Sequence, residues 1–376
     1  MDFALTEEQE AIRDLAKQIL EGQLTQERLK EVEAGAERFD RQLWAELAKA
    51  NLLAIALPED VGGSGLGFLE LFLLLEQAGR TVAPVPLVPT LVLGSLPIAE
   101  HGTPEQRRRY LPDVAAGELV LTAALVEVGT EPGRPTTSAR RDGASWRLDG
   151  VKVCVPAGHV ADRILVPART GEDAVGLFLV DPAGEGVGGE RQETTSGQPE
   201  LRLELAGAAV AAEDVLGDPE AGGPILEWLL ERAVVAQCAV AVGVCEEAVR
   251  LTAEYVKTRE QFDRPIASFQ AVGQRAADAY IDTEAVRLTA VQAAWRLATG
   301  LPAAEEVAVA KFWAADGGQR VVHAAQHLHG GIGVDRDYPL HRYFLLAKQL
   351  ELTLGGATAQ LRQLGARLAA EPVGSR

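Results

Sequence analysis

Residues 255–270 read Tyr255-Val-Lys-Thr-Arg259-Glu-Gln261-Phe262-Asp-Arg-Pro265-Ile-Ala-Ser-Phe269-Gln270, between two long stretches with apolar residues at helical spacing. Pro265 cannot donate a backbone hydrogen bond and disfavours helical geometry in the residue before it. The upstream helix is therefore expected to end near Arg259 and a new one to begin near Ser268. The short connection presents an arginine, an amide and two aromatic rings on rigid supports. Guanidinium pairs with phosphate and rings pack on flat heterocycles, which suits a phosphate-bearing cofactor. The plainer alternative is a helix–helix corner with Arg259 simply solvated.

Working outward, the 376 residues are 47% hydrophobic, enough for a large core divided into two or three domains. The formal charge of -18 argues against nucleic acid and anionic membrane as partners. Cys154, Cys238 and Cys245 follow no CxxC spacing, so neither a disulfide framework nor a zinc site is indicated, and a reducing cytoplasm fits. The first residues lack the positive region and apolar core of a signal peptide. The apolar runs at 68–75 and 233–244 read as too short for a membrane span.

Upstream, Thr6 and Gln9 form a capping-box pattern ahead of Ile12, Leu15, Ala16, Ile19 and Leu20, predicting an amphipathic first helix. Helices are also predicted over 41–52, from Phe68 after the glycine-dense turn 58–67, over 88–100, and over 104–116 with Thr103 as cap. From Leu119 the period changes. Residues 119–125, 146–155, 163–167, 175–180 and 201–205 are short β-branched runs separated by turn residues, predicting antiparallel strands. Helix returns near Pro224, in segments at 224–258, 268–299, 303–329 and 339–370. The fold class is α+β multi-domain: an N-terminal helical domain over 1–118, a middle antiparallel β domain over 119–218, and a C-terminal four-helix bundle over 219–376.

A second informative stretch is Ala325-Gln326-His327-Leu-His329-Gly330-Gly331-Ile-Gly-Val. Paired glycines commonly end a helix in a left-handed cap, and histidines there hydrogen-bond the last carbonyls. A metal role for His327 and His329 is disfavoured, because residues two apart on a helix point in different directions. No metal site is expected.

Arg259-Glu-Gln-Phe-Asp-Arg-Pro-Ile followed by Ser-Phe-Gln closely resembles the acyl-CoA dehydrogenase family, flavoproteins that desaturate acyl-CoA thioesters, and the predicted architecture matches that family over essentially the whole chain. The resemblance implies that Arg259, Gln261, Phe262, Phe269 and Gln270 bind the ADP half of FAD held by a neighbouring subunit. It implies also that Gly330 and Gly331, with Gln326 or His327, meet the FAD diphosphate. The family has Gln-x-x-Gly-Gly here, and counting back from Gly330 places His327 at the glutamine position. Asp263 stands where the family usually has glycine. The turn at 58–67 is similar to one near the acyl end of the family's pocket.

The family's chemistry needs a carboxylate to take the α-proton beside a polarised thioester. At the usual Glu-Gly-Thr turn this chain has Leu354-Gly355-Gly356-Ala357-Thr358, so Gly355 takes the glutamate's place. The alternative position on the preceding helix falls at Ala233, and Glu231 is about 200° around the helix from it. No catalytic residue is therefore assigned. The flavin-facing segments differ too, reading Val128-Gly-Thr-Glu-Pro-Gly-Arg-Pro-Thr-Thr137 and Lys152-Val-Cys-Val-Pro-Ala-Gly158. This combination is similar to one subunit type of the heteromeric α2β2 acyl-CoA dehydrogenases of sterol side-chain degradation. In those assemblies a second chain carries the catalytic glutamate. The resemblance implies FAD as cofactor, an acyl-CoA substrate, that partner chain and an electron-acceptor flavoprotein. A homomeric enzyme using Glu246 or Glu247 as base, a non-redox scaffold and a flavin-dependent oxidase or monooxygenase are the alternatives.

Overall fold

The computed structural model describes residues 3–370. In chain order the helices of the first part are α1 (Glu7–Gln23), α2 (Gln26–Ala34), α3 (Arg41–Lys49), α4 (Phe68–Arg80), α5 (Leu96–His101) and α6 (Pro104–Ala115). The strands β1 (Leu121–Ala123), β2 (Ser138–Asp142), β3 (Ser145–Pro156), β4 (Arg163–Arg169), β5 (Val175–Val180), β6 (Val187–Gln192), β7 (Glu200–Val210) and β8 (Val215–Leu216) follow. Then come α7 (Gly223–Thr258), the short pair β9 (Glu260–Gln261) and β10 (Arg264–Pro265), α8 (Gln270–Ala298), α9 (Ala304–His329), α10 (Leu340–Leu352) and α11 (Ala357–Ala370). The predicted order of helices, sheet and helices is thus the observed one.

Local chemistry sets these ends. Thr6 accepts from the Gln9 amide while the Gln9 side chain accepts from that of Thr6, and Thr103 with Gln106 repeats the device at α6. The predicted helix over 88–100 begins as a π-helix at Val88–Ser95 before α5. Among the features that escaped the periodicity are α2, the two-residue strands β8, β9 and β10, and the strands β2 and β6, which carry no apolar alternation. The segment over 339–370 is two helices, because Leu354 and Gly355 take φ of 57° and 97° and turn the chain.

The residues cluster into two compact units. The first contains 27–71 and 84–233 and holds an eight-stranded sheet in the order β6-β7-β3-β2-β4-β5-β8, with β1 beside β4. Its pairings are antiparallel except β1 with β4 and a single-residue contact of β2 with β4. Phe178, Leu148, Ile164, Val166 and Leu203 are fully buried in its core.

The second unit contains 1–26, 72–83 and 234–376. There α4 and α7 cross at glycines. A Cβ on Gly79 would lie 2.1 Å from the Val240 carbonyl oxygen, and one on Gly243 would lie 2.0 Å from that of Glu76. Small residues along 233–245 thus let the two helices approach closely. Buried Lys311 on α9 donates to the Leu350 carbonyl near the end of α10, and Tyr343 donates to the Arg80 carbonyl at 2.7 Å. The run at 233–244, read as short, lies inside the 36-residue α7. Among the described residues this is the one helix long and apolar enough to cross a membrane, and 67% of its apolar window is buried in the protein, as in a core helix.

Candidate functional site

The arginine-bearing corner is a built object. Helix α7 stops at Thr258, and the next amide, that of Arg259, still bonds to the Tyr255 carbonyl at 2.8 Å. Strands β9 and β10 then pair antiparallel, Gln261 opposite Arg264, around a two-residue turn. Both turn residues, Phe262 and Asp263, have positive φ, 56° and 59°. That twist matches a hairpin, and glycine or asparagine ordinarily supplies it. The hairpin closes with the Ile266 amide on the Arg259 carbonyl at 2.8 Å.

This geometry turns Phe262 outward, 87% exposed, with its ring edge-on to Phe269 at 6.1 Å. Arg264 lies over the Phe269 ring at 4.2 Å, and Phe269 leads into Gln270, the first residue of α8. Arg259 is exposed, and among the described residues no carboxylate pairs with it. Gln261 donates to the Glu260 carbonyl, its neighbour's, at 2.7 Å.

The second expected stretch ends α9 in the same unit. Gly330 caps the helix with φ 65°, and Gly331 lies exposed in the 3₁₀ segment Gly330–Val334. His327 points to solvent. Gln326 lies under that turn, its Nε2 3.1 Å from where a Cβ of Gly333 would be, and its buried Oε1 has no hydrogen-bond partner. His329 is buried and bonds the Ala325 carbonyl at 2.8 Å, as expected of a histidine in a last turn. Its ring stacks on Tyr255 at 4.4 Å. The two stretches, some 60 residues apart, therefore meet through Tyr255 and His329.

An unneutralised guanidinium, an outward phenyl ring and glycine backbone together fit a ligand with phosphates and a flat ring system. They fit FAD, the cofactor expected from the sequence. Among the described residues no three His, Cys, Asp or Glu side chains gather as metal ligands.

Both expected base positions lack a carboxylate. Gly355 sits in left-handed backbone, where a Cβ would meet Gln360 Nε2 at 3.2 Å, and Ala233 is fully buried. The suggested substitutes are engaged elsewhere. Glu246 pairs with Arg80 at 2.6 Å, and Glu247 pairs with Arg250 at 2.6 Å and with Arg80 at 3.6 Å. Beside them lies a carboxyl that no sequence pattern singles out. Burial, then the charge of Glu246, pushes Glu76 up to about 7 against Arg80, Arg13 and Arg287. Its only signal was position, one residue beyond the apolar run at 68–75.

In the other unit, the segment expected beside a flavin ring is closed by its own contacts. Buried Lys152 donates to Glu127 Oε1 at 2.7 Å and to the Pro167 carbonyl at 2.8 Å. Glu127 also accepts from the Thr136 amide at 2.7 Å, the Thr136 hydroxyl, and the Thr137 amide at 3.0 Å. Burial would raise the Glu127 carboxyl, yet these bonds, led by Lys152, hold it down at about 2. The inward carboxylate is thus Glu127, while Glu131, within the segment 128–137, is exposed. A bulge in β3 gives Cys154 a φ of 54° and ties its amide to Gln192 Oε1 at 2.9 Å. Pro156 has no N–H to offer a ligand, and its carbonyl accepts from Thr122 at 2.7 Å.

Residues 6–118 match the family described as acyl-CoA dehydrogenase, N-terminal domain, and residues 221–369 its C-terminal domain. Acyl-CoA dehydrogenase FadE27 of Mycobacterium tuberculosis is 43% identical over 380 residues, covering 99% of this chain and all of the relative. The crystal structure of the ChsE4-ChsE5 complex from the same organism contains a chain with a TM-score of 0.94 at 43% identity, covering 99% of this chain and 100% of that one. A variant of the Tcur3481-Tcur3483 steroid ACAD has a TM-score of 0.90 at 48% identity over 96% of this chain and 98% of its own. The chain belongs to the acyl-CoA dehydrogenase family of FAD-dependent oxidoreductases.

Proposed function

We propose that this chain is the cofactor-completing, base-lacking subunit of a heteromeric acyl-CoA dehydrogenase that α,β-desaturates a bulky acyl-CoA, a sterol side-chain CoA ester. The observation that carries the reading is a preformed hairpin with unpaired Arg259 and outward Phe262, in a chain with glycine and alanine at both base positions. The likeness to a steroid ACAD supports the substrate class, and the likeness to a chain of the two-protein ChsE4-ChsE5 complex supports the second chain.

FAD bound here would supply the hydride acceptor for the acyl β-carbon. Toward it, Arg259 supplies a fork of donors for a phosphate, and Phe262 and Phe269 supply ring surface. Gln261 and Gln270 add amides, while Gly330 and Gly331 bring backbone close without side-chain obstruction. Of the adjacent pair, exposed His327 is the donor that reaches outward, and Gln326 holds the turn from beneath. The partner chain supplies the carboxylate for the α-proton and the contacts around the flavin ring. An electron-acceptor flavoprotein reoxidises the assembly.

The test is the visible spectrum of the chain purified alone and co-purified with a second acyl-CoA dehydrogenase-like chain, with a steroid acyl-CoA added anaerobically. Flavin absorbance that appears and bleaches only in the mixed complex is expected. A chain that is yellow alone and bleaches with substrate would overturn the reading and make Glu76 the first base to examine.

A further inference from the structure

His329 is 4% exposed and both its ring nitrogens are engaged. Nδ1 lies 2.8 Å from the Ala325 carbonyl, which can only accept, so Nδ1 carries the proton. Burial lowers the tendency of this ring to charge. In the neutral ring Nε2 is an acceptor, and the Tyr338 hydroxyl, 3.0 Å away, donates to it. Face-on, the ring stacks against Tyr255 with 19° between planes, and Tyr338 meets the same tyrosine edge-on at 6.3 Å. Three segments therefore converge on one imidazole: the end of α7, the end of α9, and the turn before α10.

What these segments lead into gives the cluster its meaning. Tyr255 lies one helical turn before Arg259, and its carbonyl accepts the Arg259 amide. His329 directly precedes Gly330. Tyr338 ends the loop that leaves the glycine turn, its amide on the Asp335 carbonyl at 3.1 Å. A displacement of the glycine turn must move His329, and the stacked Tyr255 passes that movement to the hairpin. Burial and the Ala325 carbonyl act on His329, and the charge of Arg250 acts on Tyr338.

We infer that His329, Tyr338 and Tyr255 form a positioning latch that holds the Gly330-Gly331 turn and the Arg259 hairpin in one fixed spacing. These residues need not touch the ligand. The latch makes two sequence-distant loops a single surface, and its value for FAD rests on the function proposed above.

The experiment is hydrogen exchange on the full chain, comparing the parent with Tyr338→Phe, which removes one hydroxyl, and His329→Phe, which keeps a ring and loses both bonds. Expected is about tenfold faster exchange over 330–338 and, with it, at the Arg259 and Ile266 amides, while helix α8 over 283–294 is unchanged. Faster exchange confined to 330–338, no change at all, or acceleration that includes α8 would each overturn the latch. Retention of FAD by the mixed complex after Arg259→Ala is measured separately. Coupled exchange with unaffected FAD retention sinks the cofactor reading and leaves the latch standing, whereas uncoupled exchange sinks the latch alone.

Discussion

Replacing Glu76 by glutamine removes a charge from the glycine-lined crossing of α4 and α7. Burial and the neighbouring Glu246 raise the carboxyl from 4.5 to about 7. The folded protein therefore holds this proton between those values while the unfolded chain releases it. The raised folded value makes its contribution to stability fully present below the unfolded pKa and lost as pH rises through about 7. Going from 4.5 to about 7, at about 1.4 kcal/mol per pH unit, is a penalty on the order of 3 kcal/mol well above neutrality. At about pH 5 the unfolded carboxyl is already mostly ionised, so under 1 kcal/mol, roughly, is lost there. Glu76→Gln keeps the shape and the bond to its neighbour Gln77 while abolishing the titration. The variant should gain about 2 kcal/mol more over the parent at about pH 8.5 than at about pH 5. Denaturant titration of both proteins at the two pH values measures this. An equal gain at both would refute the placement of this carboxyl beside Glu246 in a desolvated crossing.

Further outcomes follow from other parts of the molecule. Arg259→Ala should weaken FAD retention by the mixed complex by roughly ten- to a hundredfold, the worth of one charge-assisted phosphate contact, with the melting temperature of the free chain unchanged. Lys152→Met leaves the Glu127 carboxylate buried without its cation and should cost about 3–5 kcal/mol in denaturant titrations, with much of it recovered in the double variant with Glu127→Gln. Because Glu127 is held down at about 2, its contribution is present above 4.5 and is lost as pH falls toward 2, which thermal melts of the parent and Glu127→Gln should display. Asp263→Gly relieves a positive φ and should stabilise the hairpin by up to about 1 kcal/mol, read as slower exchange at the Ile266 amide.

Much of this architecture was legible in the residues because the strongest elements announce themselves. The capping boxes at Thr6 and Thr103 fixed two helix starts, and β5 lies where its apolar run lies. Elements held by pairing were invisible to periodicity. β2 and β6 gain their order from β3 and β7, so their own exposed residues carry no pattern. The break at 354–355 needed the backbone dihedrals. For the site, the motif residues were found by their chemistry, and their spatial meeting was not, since nothing along the chain says that Tyr255 stacks on His329. Of the two histidines, only the fold distinguishes buried His329 from exposed His327. Glu76 and Glu127 were passed over for a shared reason: a lone carboxylate near apolar residues looks ordinary until its neighbours are known.

The hairpin at 260–265 bears on how fast an assembly can form. Its two turn residues adopt a disfavoured backbone without glycine, so that cost, of order 1 kcal/mol for each, is met when the chain folds and not when a partner arrives. A docking chain encounters a surface already in its final shape, and little loop ordering slows the encounter or weakens the product. Salt should then slow encounter at exposed Arg259, while the lifetime of the complex follows the quality of the contacts around Phe262.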